Sequence, residues 1–231
     1  MNLNILSGGA AQGLVMSLAP EFKARTGFYI AGEFGAVGAM ADKLRNGVAA
    51  DIIILTAALV AKLADEKLVV PSSIKDLGLV ETAIAVRARD SRVTVNDADD
   101  LRNALLASDE IYVPDIKAST AGIHVAKVLA QLGITDEVAG RLKIYPNGAT
   151  AMRELASSNA TRPIGCTQST EIISTEGVQL SGALPKGCEL ATMYTAGVTT
   201  NAASPNQAQI LIELLTSADS SDLRNRAGFV G

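Results

Sequence analysis

Four segments of the chain combine small residues with hydroxyl or amide side chains, at points where an extended pattern changes to a helical one. They are residues 7–10, 35–38, 117–120 and 147–150. The start of a helix leaves backbone N–H groups unpaired and carries roughly half a positive charge, and glycine or alanine lets an anion approach the backbone closely. An ordinary N-cap explains any one of these segments. The four together predict a site for a small anion.

The elements that must position the first two segments alternate regularly. Strands are predicted at residues 4–6, 28–34 and 51–55, and helices at residues 11–26, 36–46 and 57–66. The helices have apolar residues at helical spacing, whereas the Ile-Ile-Ile-Leu run at 52–55 is typical of a strand buried on both faces. The order βαβαβα predicts a parallel sheet whose ligands bind at the carboxyl ends of the strands.

The same alternation returns after residue 96. Strands are predicted at residues 111–113, 142–145 and 163–166, and helices at 97–107, 119–132, 149–157 and 205–216. Two long extended runs, at 78–89 and 190–198, flank this second unit and are interpreted as strands that cross between two lobes. The predicted fold is therefore α/β, with lobe I formed by residues 1–82 and 192–231, lobe II by residues 83–191, and a ligand cleft between them that closes by hinge motion.

Composition and charge exclude several partners. Aromatic residues make up 3% of the chain, tryptophan is absent, and the formal net charge is -4. There is neither a basic surface for nucleic acid nor a set of aromatic rings on which bases or sugars could stack. Apolar runs are all shorter than the roughly 20 residues that cross a bilayer, so no membrane insertion is expected.

The residues that most often carry catalysis or bind metals are few. His124 is the only histidine and falls inside a predicted helix, which favours a packing or surface role over a catalytic triad. Cys166 and Cys188 lack metal-binding spacing and are predicted to be free buried thiols. No metal or cofactor is expected.

The sequence resembles the molybdate-type solute-binding proteins of ABC transporters over essentially the whole chain. The resemblance rests on Ile-Leu-Ser-Gly-Gly-Ala at 5–10, Gly-Val-Ala-Ala-Asp-Ile-Ile-Ile-Leu at 47–55, Ala-Gly-Ile at 121–123, Leu-Gly at 132–133 and Pro-Ile-Gly at 163–165. It implies the type II periplasmic-binding-protein fold and a small anionic ligand. The chain is identified as a divergent member, related to aconitate isomerase-like proteins.

The departures from that family concern the ligand. The family holds its oxyanion through two serines and a tyrosine, and these positions correspond to Ala10, to Ala36 or Val37, and to Gln168; the family's backbone donors correspond to positions near Ala121 and Ala149. Three side-chain donors are thus missing. The resemblance therefore implies a small organic carboxylate more readily than molybdate or tungstate.

The candidate ligand-binding residues are those at the strand-to-helix segments, together with one arginine that could bind a carboxylate through two N–H groups. They are Ser7, Gly8, Gly9, Gly35, Ala36, Thr56, Arg87, Ser119, Thr120, Ala149 and Gln168. For Arg87 a structural ion pair is an equally good interpretation of the sequence.

Two functions of different class follow. One is a solute-binding protein that closes on a small anion. The alternative is an isomerase of a small unsaturated di- or tricarboxylate, with Arg87 as a clamp and Glu33, Asp115 or Lys117 as the proton carrier. The catalytic residues are not assigned, and whether the protein is an enzyme is left open.

The expected location follows from the first residues. The chain begins Met-Asn-Leu-Asn-Ile-Leu, with no basic and apolar leader, which predicts a cytoplasmic protein as given and a periplasmic one if a leader peptide has been removed. A monomer is expected, with an ABC transporter permease as a partner if the protein is exported.

Overall fold

The computed structural model describes all residues, 1–231. Its strands are β1 (Asn2–Gly8), β2 (Tyr29–Gly35), β3 (Ile52–Thr56), β4 (Lys75–Arg87), β5 (Glu110–Pro114), β6 (Leu142–Tyr145), β7 (Pro163–Gln168), β8 (Val178–Ala183), β9 (Ala191–Val198) and β10 (Phe229–Val230). Its helices are α1 (Gln12–Thr26), α2 (Val37–Arg45), α3 (Ala57–Asp65), α4 (Ala98–Ala107), α5 (Thr120–Gln131), α6 (Thr135–Val138), α7 (Gly148–Ser157), α8 (Ser169–Ile173), α9 (Pro205–Thr216) and α10 (Ser221–Arg226).

The chain divides into two compact units. Unit 1 comprises Met1–Val80 and Thr192–Gly231, and unit 2 comprises Glu81–Ala191. The chain passes from one unit to the other within β4 and again at the start of β9, so both connections lie in or next to extended segments.

Unit 1 is built on a mixed sheet. Strand β1 pairs in parallel with β2 on one side and β3 on the other, and β9 then runs antiparallel to β3. The Ile-Ile-Ile-Leu run of β3 has no exposed surface, because α1 to α3 and α9 supply apolar side chains to a single cluster around the sheet. Burial on both faces explains why this strand does not alternate between apolar and polar residues.

Unit 2 has a second sheet with cores on both faces. Strand β5 pairs in parallel with β6 and β7, and β4 runs antiparallel to β7. Successive side chains of a strand point to opposite faces. Accordingly Ile84 belongs to one hydrophobic cluster, whereas its neighbours Ala83 and Ala85 belong to the other.

The structure contains elements that the sequence pattern did not predict. Strand β8 pairs antiparallel with the end of β4, with a shift of register between Ile84 and Ala85, and β7 continues two residues beyond the predicted end at Cys166 into the short helix α8. The extension of β7 matters because it carries Gln168 to the end of the sheet where the neighbouring parallel strands also end.

Candidate functional site

The first group of predicted site residues lies together at one edge of the unit 1 sheet. Because β1, β2 and β3 are parallel, their carboxyl ends meet there. Gly8 is level with Gly35, and Ser7 is level with Ile54, two residues before Thr56. Gly9 and Ala36 directly follow the ends of β1 and β2.

A tyrosine that the sequence did not single out supports this edge. Tyr194 pairs with Thr56 across β3 and β9, and only 1% of its surface is exposed. A Cβ atom added to Gly8 would lie 2.9 Å from Tyr194 Cε1 and 2.8 Å from Val37 Cγ1. Gly8 is therefore required because the ring and the start of α2 pack directly on its backbone.

The Ser7 side chain is turned into the protein. The residue is fully buried, and its Oγ donates a 2.9 Å hydrogen bond to the carbonyl oxygen of Gly8. Its hydroxyl therefore fixes the loop, and the groups at this edge that remain suited to an anion are backbone N–H groups and the half-buried hydroxyl of Thr56.

Two helices begin at this edge without a side-chain cap. Ala36 precedes α2 and Thr56 precedes α3, and neither side chain accepts a hydrogen bond from the helix. Helix α4, which starts elsewhere, is capped by the Asp97 carboxylate, which accepts from the N–H of Asp100 at 2.9 Å. Uncapped N–H groups at a helix start carry partial positive charge and attract anions.

The second group lies at the corresponding edge of the unit 2 sheet. Strands β5, β6 and β7 are parallel, with Pro114 level with Tyr145 and Tyr112 level with Gly165. The residues that follow these strands therefore share one edge. They include Ser119, Thr120, Ala149 and Gln168.

Helix α5 is the longest of three helices in unit 2 that begin without a side-chain cap, the others being the short helices α6 and α8. Ser119 makes no side-chain hydrogen bond to it, and the loop before it is held by Asp115, whose Oδ1 accepts from the N–H groups of Lys117 at 2.7 Å and Ala118 at 3.0 Å. A Cβ atom on Gly122 would lie 2.2 Å from the Asp115 carbonyl oxygen. This close approach fixes the position of the α5 N-terminus.

Helix α7, by contrast, already has an anion of the protein at its start. Asn147 Oδ1 accepts from the N–H of Thr150 at 2.8 Å, and the buried carboxylate of Glu171 lies against Gly148, where a Cβ atom would be 1.9 Å from Oε2. Thr167 Oγ1 donates to the same Oε2 at 2.6 Å. The expectation that Ala149 offers a free backbone donor to a ligand is therefore corrected, because the first N–H groups of α7 face these internal acceptors.

Burial raises the pKa of Glu171, because it removes the charged carboxylate from water, and no cation lies beside it to offset this effect. Hydrogen bonds to the carboxylate have the opposite, smaller effect and lower that pKa. Their donors are the Thr167 hydroxyl and the backbone N–H groups of Gln168, Ala149 and Gly148. Sequence reasoning missed Glu171, which looks like an ordinary acidic residue in the first turn of a helix.

Arg87 does not belong with the other candidates. Strand β4 is antiparallel to β7, with Ala85 level with Gly165, so Arg87 lies towards the opposite edge of the sheet from Gln168. Its N–H groups donate to Asp90 Oδ2 at 2.6 Å and Oδ1 at 3.2 Å, and to the carbonyl oxygens of Ser158, Ala160 and Thr161 at 2.8, 3.0 and 3.5 Å. The five donors of a guanidinium are all engaged. The predicted clamp is therefore a structural ion pair.

The remaining candidates have simpler surroundings. Glu33 forms an exposed ion pair with Lys43, and Lys117 is exposed in the loop before α5. His124 Nε2 is 2.8 Å from the carbonyl oxygen of Cys188, so the ring joins α5 to the loop before β9. Cys166 and Cys188 are free and buried, as predicted, and burial raises the pKa of Cys166 to about 12.

No group of three or more His, Cys, Asp or Glu side chains is arranged to hold a metal ion. None of the helices has the length and apolar character that crossing a membrane requires.

Comparison with known proteins gives consistent matches. The family model of bacterial extracellular solute-binding proteins matches residues 3–230. The aconitate isomerase of Pseudomonas sp is 23% identical over 228 residues, which cover 94% of this chain and 83% of that protein. The periplasmic molybdate-binding protein of Azotobacter vinelandii has 18% identity and a TM-score of 0.82, and the match covers 99% of each chain.

A further solved structure, PEB3 with bound L-phospholactate, has 17% identity and a TM-score of 0.70, again over 99% of each chain. At such low identity these solved structures show a shared fold. The type II periplasmic-binding-protein fold that the sequence predicted is confirmed.

Proposed function

Because the chain belongs to the family of bacterial extracellular solute-binding proteins, we propose that it binds a small organic anion, held chiefly by backbone N–H groups at helix starts. The observation that carries this proposal is the position of three uncapped helix starts. Helices α2 and α3 in unit 1 and α5 in unit 2 begin without a side-chain cap at the edges where parallel strands end. Oriented N–H groups at such starts bind anions without a cationic side chain.

The number of donors favours a carboxylate over molybdate. A tetrahedral oxyanion brings four oxygens to a single point, where each of them needs donors, whereas each carboxylate group of an organic acid brings two. At the expected oxyanion positions Ala10 and Ala36 have no hydroxyl, and the Ser7 hydroxyl is engaged with Gly8. The start of α7 is already faced by Glu171, which removes further donors. A ligand whose charged oxygens are divided between separate carboxylate groups suits this set.

The proposal extends to location and partner. Solute-binding proteins of this family are extracellular, and we place this chain outside the cytoplasmic membrane, where it delivers its ligand to an ABC transporter permease as a monomer. The prediction of a cytoplasmic protein rested on the first residues alone and is the weaker of the two.

The test is to place a carboxylate side chain at the N-cap position of an uncapped helix. A36D and S119D each place a carboxylate at the N-cap of α2 or α5, where it accepts the N–H groups that the ligand would use. A cap contributes about 0.5–2 kcal/mol, so both variants should raise the unfolding midpoint of the ligand-free protein. Both should also weaken anion binding by tenfold or more. N147D, at the already capped start of α7, is the matched control and should leave anion binding unchanged.

The measurement is thermal unfolding with a panel of di- and tricarboxylates, phosphate, sulfate, molybdate and tungstate. A ligand at a hundredfold its dissociation constant adds about 2.7 kcal/mol of stability. Stabilisation by carboxylates that is lost in A36D and S119D supports the proposal. Stabilisation by molybdate alone would refute the carboxylate assignment, and anion binding that survives both substitutions would refute the site.

The aconitate isomerase relative favours a second candidate, an isomerase of a small unsaturated tricarboxylate. Such a reaction moves a proton between carbon atoms, so a carboxylate site and one acid–base group suffice. Lys117 is exposed in the loop before α5, whereas the Asp115 carboxylate already accepts two N–H groups, so Lys117 is the better proton carrier. Proton NMR of aconitate in D₂O tests this: isomerisation with deuterium uptake that K117A abolishes supports the enzyme, and an inert substrate that nevertheless binds supports the solute-binding protein.

A further inference from the structure

Unit 2 contains a cavity of about 530 Å³ that none of the candidate site residues lines. Its walls come from the end of β4 and the loop after it, the end of α4, and the start of β7. Pockets that bind small molecules have volumes of about 300–1,000 Å³, so the cavity is large enough for a ligand.

The cavity lies at the opposite edge of the unit 2 sheet from the loops that form the candidate anion site. Pro163 and Ile164 line it at the start of β7, whereas Gln168 ends the same strand at the other edge. At about 3.3 Å per residue, the five steps from Pro163 to Gln168 span about 16 Å. A ligand here would occupy a separate site.

The lining combines an apolar wall with guanidinium groups. Val86, Val93, Ala104, Ala107, Pro163 and Ile164 supply the apolar surface. Arg89 and Arg162 also line the cavity, and Arg89 forms no ion pair, because its one hydrogen bond goes to the carbonyl oxygen of Ser158 at 2.9 Å.

The nearby carboxylates do not neutralise these arginines fully. Both carboxylate oxygens of Asp90, which also lines the cavity, accept from Arg87. Arg162 is 3.6 Å from Asp109 Oδ1 and its side chain is 66% exposed, so this pairing is loose and in contact with solvent. Two guanidinium groups therefore remain able to receive an acid beside an apolar wall, on a chain whose net charge is -4.

We propose that this cavity is a second ligand site, specific for a small amphipathic acid whose apolar body packs on the wall and whose acid group pairs with Arg89 and Arg162. Each element of the ligand has its counterpart: the apolar chain removes apolar surface from water, and the acid group receives charge-assisted hydrogen bonds from the guanidinium groups.

The absence of tryptophan from the chain gives a direct reporter. Ser91 is an exposed residue on the cavity rim, so S91W carries a single tryptophan whose fluorescence follows occupancy. We expect saturable binding of octanoate, weakened about tenfold by R89A or R162A in the S91W background. R153A removes an exposed arginine of the same unit that bonds only Thr150 and is the matched control.

A second measurement does not depend on the reporter. Octanoate should raise the unfolding midpoint of the unaltered protein, and A107W, which fills the cavity, should abolish this effect, whereas A36D should preserve it. Absence of saturable binding would overturn the proposal. Equal weakening of octanoate binding by R153A would also overturn it. So would octanol binding as tight as that of octanoate and unchanged by R89A and R162A, because that result would indicate an apolar surface without an acid site.

Discussion

Arg87 uses all five of its guanidinium donors within the protein. It is 6% exposed, and its donors reach one carboxylate and three carbonyl oxygens that a lysine ammonium, with three donors, cannot satisfy together. Leaving buried acceptors without a donor costs about 1–3 kcal/mol. We expect R87A to lower the free energy of unfolding in urea by at least that amount, and R87K to lower it by less, because the lysine ammonium keeps a positive charge beside Asp90. R153A should change it by less than about 0.5 kcal/mol, as surface substitutions usually do, and equal stability of R87A and R153A would contradict this role.

Glu171 makes stability depend on pH. Burial raises its folded-state pKa above the ordinary value of 4.5, so the unfolded chain releases this proton at a lower pH than the folded protein does. As pH rises from 4.5 through the folded-state pKa, the folded protein holds more protons and its free energy of unfolding falls; above that pKa the contribution is constant. E171Q has no such proton.

The free energy of unfolding of the unaltered protein, measured in urea from pH 4.5 to 8, should therefore fall relative to that of E171Q. Parallel pH profiles for the two proteins would show that Glu171 keeps its ordinary pKa.

The roles of these single residues depend on distant partners, which is why the sequence left them open or missed them. The carbonyl oxygens that bind Arg87 lie 71 to 74 residues away along the chain. The role of Glu171 depends on the start of α7, and that of Tyr194 depends on its pairing with β3. The glycines and alanines at the strand ends were predictable, because their local requirement, close approach to a backbone, is expressed in the residue type itself.

The periodicity of apolar residues located the long helices and the buried strands to within a few residues. The apolar pattern of β3 indicates a buried strand, and that of α9 indicates a helix with one buried face. Strand β8 was missed because Val178–Ala183 contains serine, glycine and glutamine and is only half-buried. Helix α8, at five residues, is too short to show a period of 3.6.

The contact between Gly122 of α5 and the loop before this helix holds the helix start in place, and a substitution at Gly122 tests that role. Since a Cβ atom on Gly122 would lie 2.2 Å from the Asp115 carbonyl oxygen and 2.6 Å from that of Pro114, G122A must push the helix away from the loop. We expect a loss of about 1–3 kcal/mol of stability, typical of overpacking, together with weaker anion binding, because the α5 N–H groups move. Calorimetric titration with the anion identified in the thermal screen measures the second effect. G140A, whose Cβ meets nothing within 4 Å, should alter neither, and anion binding that G122A leaves intact would separate α5 from the site.

Each of the two units has its own hydrophobic clusters. The unit 1 cluster includes Leu3, Phe22 and Phe229, whereas those of unit 2 include Ile111 and Met152. The sequence placed the boundaries inside the two long extended runs, at residues 82 and 191, and the compact units change at residues 80 and 191. A crossing strand such as β4 has no local break in its sequence that could mark the division.

Separate clusters predict that damage to one unit stays within it. G148A would place a Cβ atom 1.9 Å from Glu171 Oε2 and 2.2 Å from Thr167 Oγ1, both buried in unit 2. Amide hydrogen exchange followed by mass spectrometry should then rise across residues 81–191, because local unfolding of this unit becomes easier. Exchange in residues 1–80 and 192–231 should stay close to that of the unaltered protein and of G140A. If exchange rises equally in both units, the chain unfolds as one cooperative body, and the crossing strands transmit stability as effectively as a shared core would.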